Sequence, residues 1–538
     1  MRFLLPMSLA LATLGCNVSV STSPEQATAP VALAKPEPVA IEEVDLASLQ
    51  ARMQAGTLNS HDLTAAYLAR IEAVDRQGPA LNSIITTNPQ ALSDADALDA
   101  ERHAGTVRGP LHGIPVLLKD NIDARPMATT AGSLALIDNI PAGDAFLVAR
   151  LREAGAVILG KTNLSEWANF RSTRAISGWS GVGGQTRNPY VLDRNPCGSS
   201  SGTGTAIAAS LATVGVGTET DGSIICPSAV AGLVGIKPTV GAVSRSGIVP
   251  IAISQDTAGP MARSVADAAV LLSALAAPDP ADPASAAHPG VIDFSAHLKV
   301  DGLRGARIGV LRKSMGLHPD VDAAMEASIA ALTAAGATVV DAEIATAGQW
   351  DPAEMQVLLF EFKDGLERYL ASHQRTLKTF ADLIAFNREH ATQEMPWFGQ
   401  ELFEMADEKG PLTDQGYLGA KKLAFELAGP QGIDATLKAQ QLDALVAPST
   451  APAWPTDRIL GDHYLGGGYG AAAVAGYPSI TVPMGDSHGL PLGLVFMGAA
   501  WSEGRLIELA YGFEQATHKR QAPRYLPTLD VADTGAAR

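Results

Sequence analysis

Three stretches of this chain carry residues that could do chemistry, and their neighbours decide what each can do. Gly155-Ala156-Val157-Ile158-Leu159-Gly160-Lys161-Thr162 fits the phosphate-loop pattern letter for letter. A phosphate cradle needs a pliable backbone whose N–H groups converge. Here the residues between the glycines are Ala, Val, Ile and Leu, which should form a strand, with Lys161 and Thr162 opening a loop before a helix from Ser165. Nucleotide binding is therefore set aside. Gly198-Ser199-Ser200-Ser201-Gly202 fits the Gly-x-Ser-x-Gly elbow, but that elbow requires a strand directly before its serine. Arg194-Asn195-Pro196-Cys197 reads as a turn instead. A plain Gly/Ser linker is no better, because the flanks are apolar.

The third possibility combines distant pieces. Lys119 follows the apolar run Ile114-Pro115-Val116-Leu117-Leu118, the triple serine lies near position 200, and Thr218-Glu219-Thr220-Asp221-Gly222-Ser223 comes next. A serine hydroxyl is a poor nucleophile until a base takes its proton. No histidine is suitably placed, so a lysine must serve. Its reference pKa is about 10.4, and burial among apolar neighbours would depress it by penalising the charged form. Taken alone, Lys119 would read as a lysine paired with Asp120, and Ser223 as a helix cap.

In combination these residues resemble the amidase-signature family. The pattern continues through Ile224, Pro227, Gly232-Leu233-Val234-Gly235-Ile236-Lys237-Pro238-Thr239 and Asp256-Thr257-Ala258-Gly259-Pro260-Met261-Ala262-Arg263. It resumes at Ala475-Gly476-Tyr477-Pro478 and Gly489-Leu490-Pro491-Leu492-Gly493-Leu494. The resemblance covers roughly residues 45 to 520 and implies an amide hydrolase with a Ser-Ser-Lys triad: Ser223 as nucleophile, Ser199 as bridging serine behind a cis peptide bond, Lys119 as base. The backbone N–H groups of Thr220, Asp221, Gly222 and Ser223, which precede or begin a helix, can converge on one oxyanion. Within the family the chain is most similar to bacterial peptide amidases, which release ammonia from the C-terminal carboxamide of peptides. The segments Cys197–Gly202, Thr218–Ile224, Glu361–Tyr369 and Phe398–Leu402 carry that likeness. Glu219 and Asp221 depart from the Asp and Gly common elsewhere in the family, which leaves them open between bracing the loop and touching substrate. Asp256 reads as a carboxylate bracing the loop, and Arg263 as a surface or supporting arginine. Alternatives are an amidase of small aliphatic or aryl amides, a tRNA-dependent amidotransferase subunit, or a non-catalytic binding lipoprotein.

The elements that must hold these residues alternate between helix and apolar strand, which predicts an α/β architecture. The resemblance makes it a mixed central sheet flanked by helices. Helical periodicity runs from Leu46 to Glu72 with a break at Gly56-Thr57 and a cap at Asn59 or Ser60. Strands are expected at 114–118, 156–159, 308–311, 337–340, 442–447, 479–483 and 492–497, and Val240 to Ser254 alternates like a strand. Helices are expected at 146–154, 264–276 and 501–516. Residues 352 to 428 read as a helical insertion between core strands.

The 538 residues are 46% hydrophobic and 18% charged, enough for a large core. With 39 Lys and Arg against 56 Asp and Glu, the net charge of −17 repels phosphate backbones, so nucleic acid is not an expected partner. Residues 1–16 read as a signal peptide ending in Thr13-Leu14-Gly15-Cys16, which resembles a bacterial lipobox. Cys16 is the expected lipid anchor, with simple cleavage or retention as alternatives. An exported protein follows, periplasmic or anchored at the outer membrane of a Gram-negative bacterium. Residues 17–43 read as a flexible tether, 44–525 as the amidase domain and 526–538 as a tail. Cys197 and Cys226 read as buried thiols, with a bond between them left open by export. No cofactor and no metal site are expected, since the 11 histidines show no ligand spacing.

Overall fold

The computed structural model describes residues 39–529 except Gln374, together with Ala12 and Gly15. The rest of the expected leader, Cys16 and most of the expected tether lie outside the described residues.

Thirteen strands carry the architecture: β1 Ile84–Thr87, β2 Pro115–Lys119, β3 Val157–Thr162, β4 Trp179–Ser180, β5 Gly184–Gln185, β6 Val214–Glu219, β7 Val234–Lys237, β8 Thr257–Ala262, β9 Arg307–Leu311, β10 Thr338–Ala342, β11 Ala444–Pro448, β12 Ser479–Ser487 and β13 Leu490–Met497. Eleven form one sheet in the order β1-β3-β2-β6-β8-β7-β12-β13-β11-β9-β10, while β4 and β5 make a separate ribbon. The sheet is mixed: β3, β2 and β6 run parallel, as do β11, β9 and β10, and antiparallel pairs join the two groups. The central strands are buried on both faces, which explains their continuous apolar runs.

The first helical stretch splits as expected into Leu46–Gln54 and Ser60–Arg70, with Asn59 capping the second through its side chain. The insertion between β10 and β11 is helical, led by the 22-residue helix Asp351–Ser372. Its apolar face packs Leu359, Phe362 and Leu366 against Trp167, Phe170 and Ile251. That contact brings the insertion over the residues that follow β3.

Several expectations need correction. β3 continues through Lys161 and Thr162 instead of ending before them, and no regular helix follows Ser165. Glu166–Asn169 is a short turn in which Trp167 and Ala168 hold left-handed backbone angles. Val240 to Ser254 is not a strand but a buried, folded loop. Four of its backbone N–H groups are met by carboxylates: Arg245 donates to Asp282, Ile251 and Ala252 to Asp256, and Ser254 to Glu361. Others donate to loop carbonyls, such as Val249 to Asn121, and burial comes in runs instead of alternating. The cysteines are not free thiols: Cys197 and Cys226 are joined by a disulfide with their Cα atoms 6.0 Å apart. Arg263 is buried, not superficial, and its guanidinium donates to the carbonyls of Val44, Ile207 and Ala212. The compact body begins at Val39, with Glu43 paired to Arg520, and Leu526 bonds back to Tyr190.

Candidate active site

Lys119 is the last residue of β2, and Thr218 lies near the end of β6, the parallel neighbour. Parallel strands deliver their carboxyl ends to one edge of a sheet, where sites form. There Lys119 is fully buried. Its Nζ donates to Ser199 Oγ at 2.7 Å, to Thr218 Oγ1 at 2.8 Å and to the Thr218 carbonyl at 3.3 Å. Asn121 Nδ2 also donates to Thr218 Oγ1, at 3.0 Å. Asp120, the neighbouring carboxylate, pairs instead with Lys161 at 2.8 Å. This buried pair accounts for the lysine of the phosphate-loop look-alike. It also leaves Lys119 without a salt bridge among the described residues.

Burial pushes the Lys119 ammonium down from 10.5 to about 7, against the opposing pull of Asp256 and Glu219. With two N–H bonds directed at Thr218, the remaining tetrahedral position faces Ser199. An ammonium donates there; a neutral amine offers its lone pair.

Ser199 is buried at the start of the segment that enters the helix Ser201–Ala208, and the Gly198–Ser199 peptide bond is cis. Gly202 is pressed against the backbone of Asn163 and Ser83, which leaves no space for a side chain. Ser200 fastens this segment to the next one: its N–H donates to the Ser223 carbonyl at 3.2 Å and its hydroxyl to the Thr218 carbonyl at 3.0 Å.

Ser223 stands in the turn between β6 and the helix Ile225–Val230. Its hydroxyl opens on a cleft of about 260 Å³ and makes no hydrogen bond to protein among the described residues. Gly222 has φ +80°, and a Cβ there would drive into the Tyr469 ring. The N–H groups of Thr220, Asp221, Gly222 and Ser223 donate to no protein acceptor among the described residues. Free donors of this kind are what an oxyanion would require.

The two residues left open by sequence take different parts. Glu219 braces the turn, its Oε2 accepting from the N–H groups of Ile224 at 2.7 Å and Ile225 at 3.0 Å. Asp221 makes no hydrogen bond to protein among the described residues and lines the cleft. Though open to the cleft, its carboxyl loses water to the surrounding protein and feels Glu354 and Glu219, which hold it well above the usual carboxylate range. Asp256 braces as expected. It accepts from Thr220 Oγ1 at 2.6 Å and from Ile251 and Ala252 at 2.9 Å, and burial raises it to about 6.

The cleft walls come from parts that carry no motif: Ala168 to Phe170 after β3, Ile251 from the folded loop, Leu358 from the insertion, and Trp454, Asp462, Tyr464 and Tyr469 from the chain after β11. Asp462 anchors that last piece by accepting from Ser177, Asn195 and Trp454. Sequence reasoning missed these residues, and it also missed Thr218 as a partner of Lys119.

A family model described as Amidase matches residues 62–507. The chain belongs to the amidase-signature family. This amidase is 40% identical over 502 residues to a probable amidase of Arabidopsis thaliana, covering 90% of this chain and 92% of that protein. It is 37% identical to a glutamyl-tRNA(Gln) amidotransferase component from Moorella thermoacetica, covering 88% and 96% of the two chains. Among solved structures it is similar to the native peptide amidase from Stenotrophomonas maltophilia, with a TM-score of 0.86, 58% identity and coverage of 90% and 99%. The fold is the amidase-signature fold, and the protein is an amide hydrolase.

Proposed function

We propose that this amidase deamidates the C-terminal carboxamide of peptides, releasing ammonia through an acyl-enzyme on Ser223. The observation that carries the reading is the similarity to the peptide amidase at 58% identity across nearly the whole of that chain. The character of the cleft adds to it. Among the described residues, the charged groups that line it are Asp221 and Asp462, with no cation beside them. A neutral carboxamide can enter beside Ser223, whereas a free terminal carboxylate would lose water there with no cation to pair with it.

In this reading, neutral Lys119 takes the Ser199 proton while Ser199 takes that of Ser223, which attacks the carboxamide carbon. The N–H groups of Thr220 to Ser223 receive the developing oxyanion. The relay reversed protonates the leaving ammonia, and water then cleaves the acyl-enzyme. Contacts between the bound peptide and Phe170, Leu358 and Trp454 supply binding energy remote from the reacting carbon.

A role in tRNA-dependent amidotransfer is less well supported. That reaction belongs in the cytoplasm, whereas the leader pattern and a disulfide both suit an oxidising compartment. The same two features support export, with Cys16 as the proposed lipid anchor.

The deciding experiment incubates a peptide amide that contains an internal Gln and locates the change by mass spectrometry. A gain of about one mass unit (amide to acid) at the C-terminus alone is expected. Internal cleavage, or deamidation confined to Gln, would overturn the reading.

A further inference from the structure

We propose that the Cys197–Cys226 disulfide is a positioning element of the catalytic site, holding the Ser199 segment against the Ser223 turn, and that its reduction switches the enzyme off. The inference rests on the reading of Ser199 and Ser223 as catalytic.

The bond sits where it can act on both serines. Cys197 lies two residues before Ser199, and Cys226 lies three residues after Ser223 in the short helix Ile225–Val230. The segments precede and follow β6 in the chain, and the helices they enter pack together, Gly204 against the Pro227 carbonyl. On the side facing the sheet, Ser200 ties them to each other and to Thr218. On the cleft side the tie is the disulfide, since Cys197 forms part of the cleft wall beside Gly198 and Ser223.

Stability alone does not account for this location. Small domains with insufficient cores need such staples, but this fold has a continuous core from Ile41 to Phe513. Positioning does account for it. Cys197 holds a left-handed φ of +55°, which residues with a Cβ rarely adopt. Its N–H is held by Asn195 Oδ1 at 2.8 Å and its carbonyl by Ser201 Oγ at 2.5 Å. The disulfide fixes the third direction, that of the side chain. Released, Cys197 can relax toward a commoner conformation and carry Gly198 and Ser199 with it.

Reduction is balanced by a dithiol. It supplies two electrons and two protons, the S–S bond breaks, Cys197 and Cys226 become thiols, and the reagent becomes its own disulfide. Both cysteines are buried, but only Cys197 lines the cleft, so the reagent must enter there and attack at Cys197.

Two measurements test the proposal. The first compares wild type with Cys197→Ser/Cys226→Ser by kcat, KM and the rate at which a fluorophosphonate labels Ser223. A misplacement near 1 Å costs up to about 10²-fold, so kcat and labelling should fall by at least about tenfold while KM stays within about threefold. Unchanged kcat with only a lower melting temperature would overturn the proposal. The second covers failure of the variant to fold. Native enzyme is treated with dithiothreitol below its unfolding temperature while thiols and activity are followed together. Two thiols appearing as activity is lost, and activity returning on reoxidation, is the expected result. Two thiols with full activity, or no thiols released even after denaturation, would overturn it. Ser223→Ala is the control: residual turnover there would fault the catalytic reading itself, whereas an inert Ser223→Ala beside fully active cysteine variants would fault only the disulfide's role.

Discussion

Lys119 Nζ stands 2.7 Å from Ser199 Oγ although 80 positions separate them in the chain. The contact exists because β2 and β6 run parallel and end together, so the lysine that closes one strand meets the segment packed over the other. In the proposed mechanism it closes half of a proton relay. The other half needs the Ser223 hydroxyl, free at the cleft floor, to turn toward Ser199 when substrate arrives.

The three residues are expected to act as a unit. Ser223→Ala should lose about 10⁴-fold or more in kcat, by analogy with other hydrolase triads. Ser199→Ala and Lys119→Ala should each fall steeply, and the double variant Lys119→Ala/Ser199→Ala should lose little beyond the worse single. Steady-state kinetics on a peptide amide, with circular dichroism to confirm folding, checks this. Additive losses would mean that the two side chains act independently.

The pH dependence follows from burial. Lys119 must be neutral to accept a proton, and it sits at about 7 rather than 10.5. kcat/KM should therefore climb with pH and level off somewhat above 7. Asp256, raised to about 6, is protonated at the foot of the same limb; losing its charge there eases proton loss from Lys119, which should make the limb shallower than a single titration. A profile flat from pH 5 to about 9 would exclude a lysine of this kind as the base.

The same shift has a consequence for stability. Unfolded Lys119 keeps its ordinary value of 10.5, while the folded one titrates near 7. Between those values the unfolded state binds more protons, so the native state gains stability as pH rises through the window. Lys119→Met removes this term. The stability of wild type relative to the variant should grow from pH 7 to about 10, by a few kcal/mol at 1.36 kcal/mol per unit. Denaturant midpoints at three pH values would show it, and a constant or shrinking difference would contradict the depressed lysine.

How far the site was legible depended on whether a residue belongs to an ordered pattern. Lys119, Ser199 and Ser223 stood out only in combination, through the resemblance their joint pattern carries, while the strands around them read as apolar runs. The cleft walls did not. Trp454, Asp462 and Tyr469 lie in chain without periodicity and reach the site through long-range bonds such as Asp462 to Asn195. Val240 to Ser254 misled because its alternating residue types do not become alternating burial: the segment is buried in runs, and four of its N–H groups meet carboxylates. The disulfide was unreadable because two cysteines 29 positions apart carry no geometry until Ser199 and Ser223 are brought together.

Gly222 is held by two independent constraints, a φ of +80° and contact with the Tyr469 ring. Gly222→Ala should therefore lower kcat strongly, because the added methyl displaces the N–H groups of the turn from their common point. Tyr469→Ala on the Gly222→Ala background should recover only part of the loss, since it removes the collision but not the backbone penalty. Full recovery, or a Gly222→Ala enzyme with normal kcat, would show that the turn does not need glycine.

Asp256 offers a sharper test of the electrostatics, because its charge and its bracing role can be separated. Asp256→Asn keeps an oxygen for the N–H groups of Ile251 and Ala252 and turns an amide toward Thr220 Oγ1, whose hydroxyl can rotate to accept. The loop should stay in place. What disappears is a negative charge that favours the Lys119 ammonium. Removing it lowers the lysine further below 7, so the ascending limb of kcat/KM should move to lower pH and lose the broadening near 6. At pH 8, where Lys119 is already mostly neutral, the rate should remain within about tenfold of wild type, since general-base efficiency declines only gradually as the base weakens. The measurement is a pair of pH profiles on one peptide amide. A limb displaced to higher pH would mean that Asp256 does not act on Lys119 through its charge. A collapse of kcat at all pH values with unchanged melting temperature would instead make the carboxylate itself indispensable to the oxyanion turn.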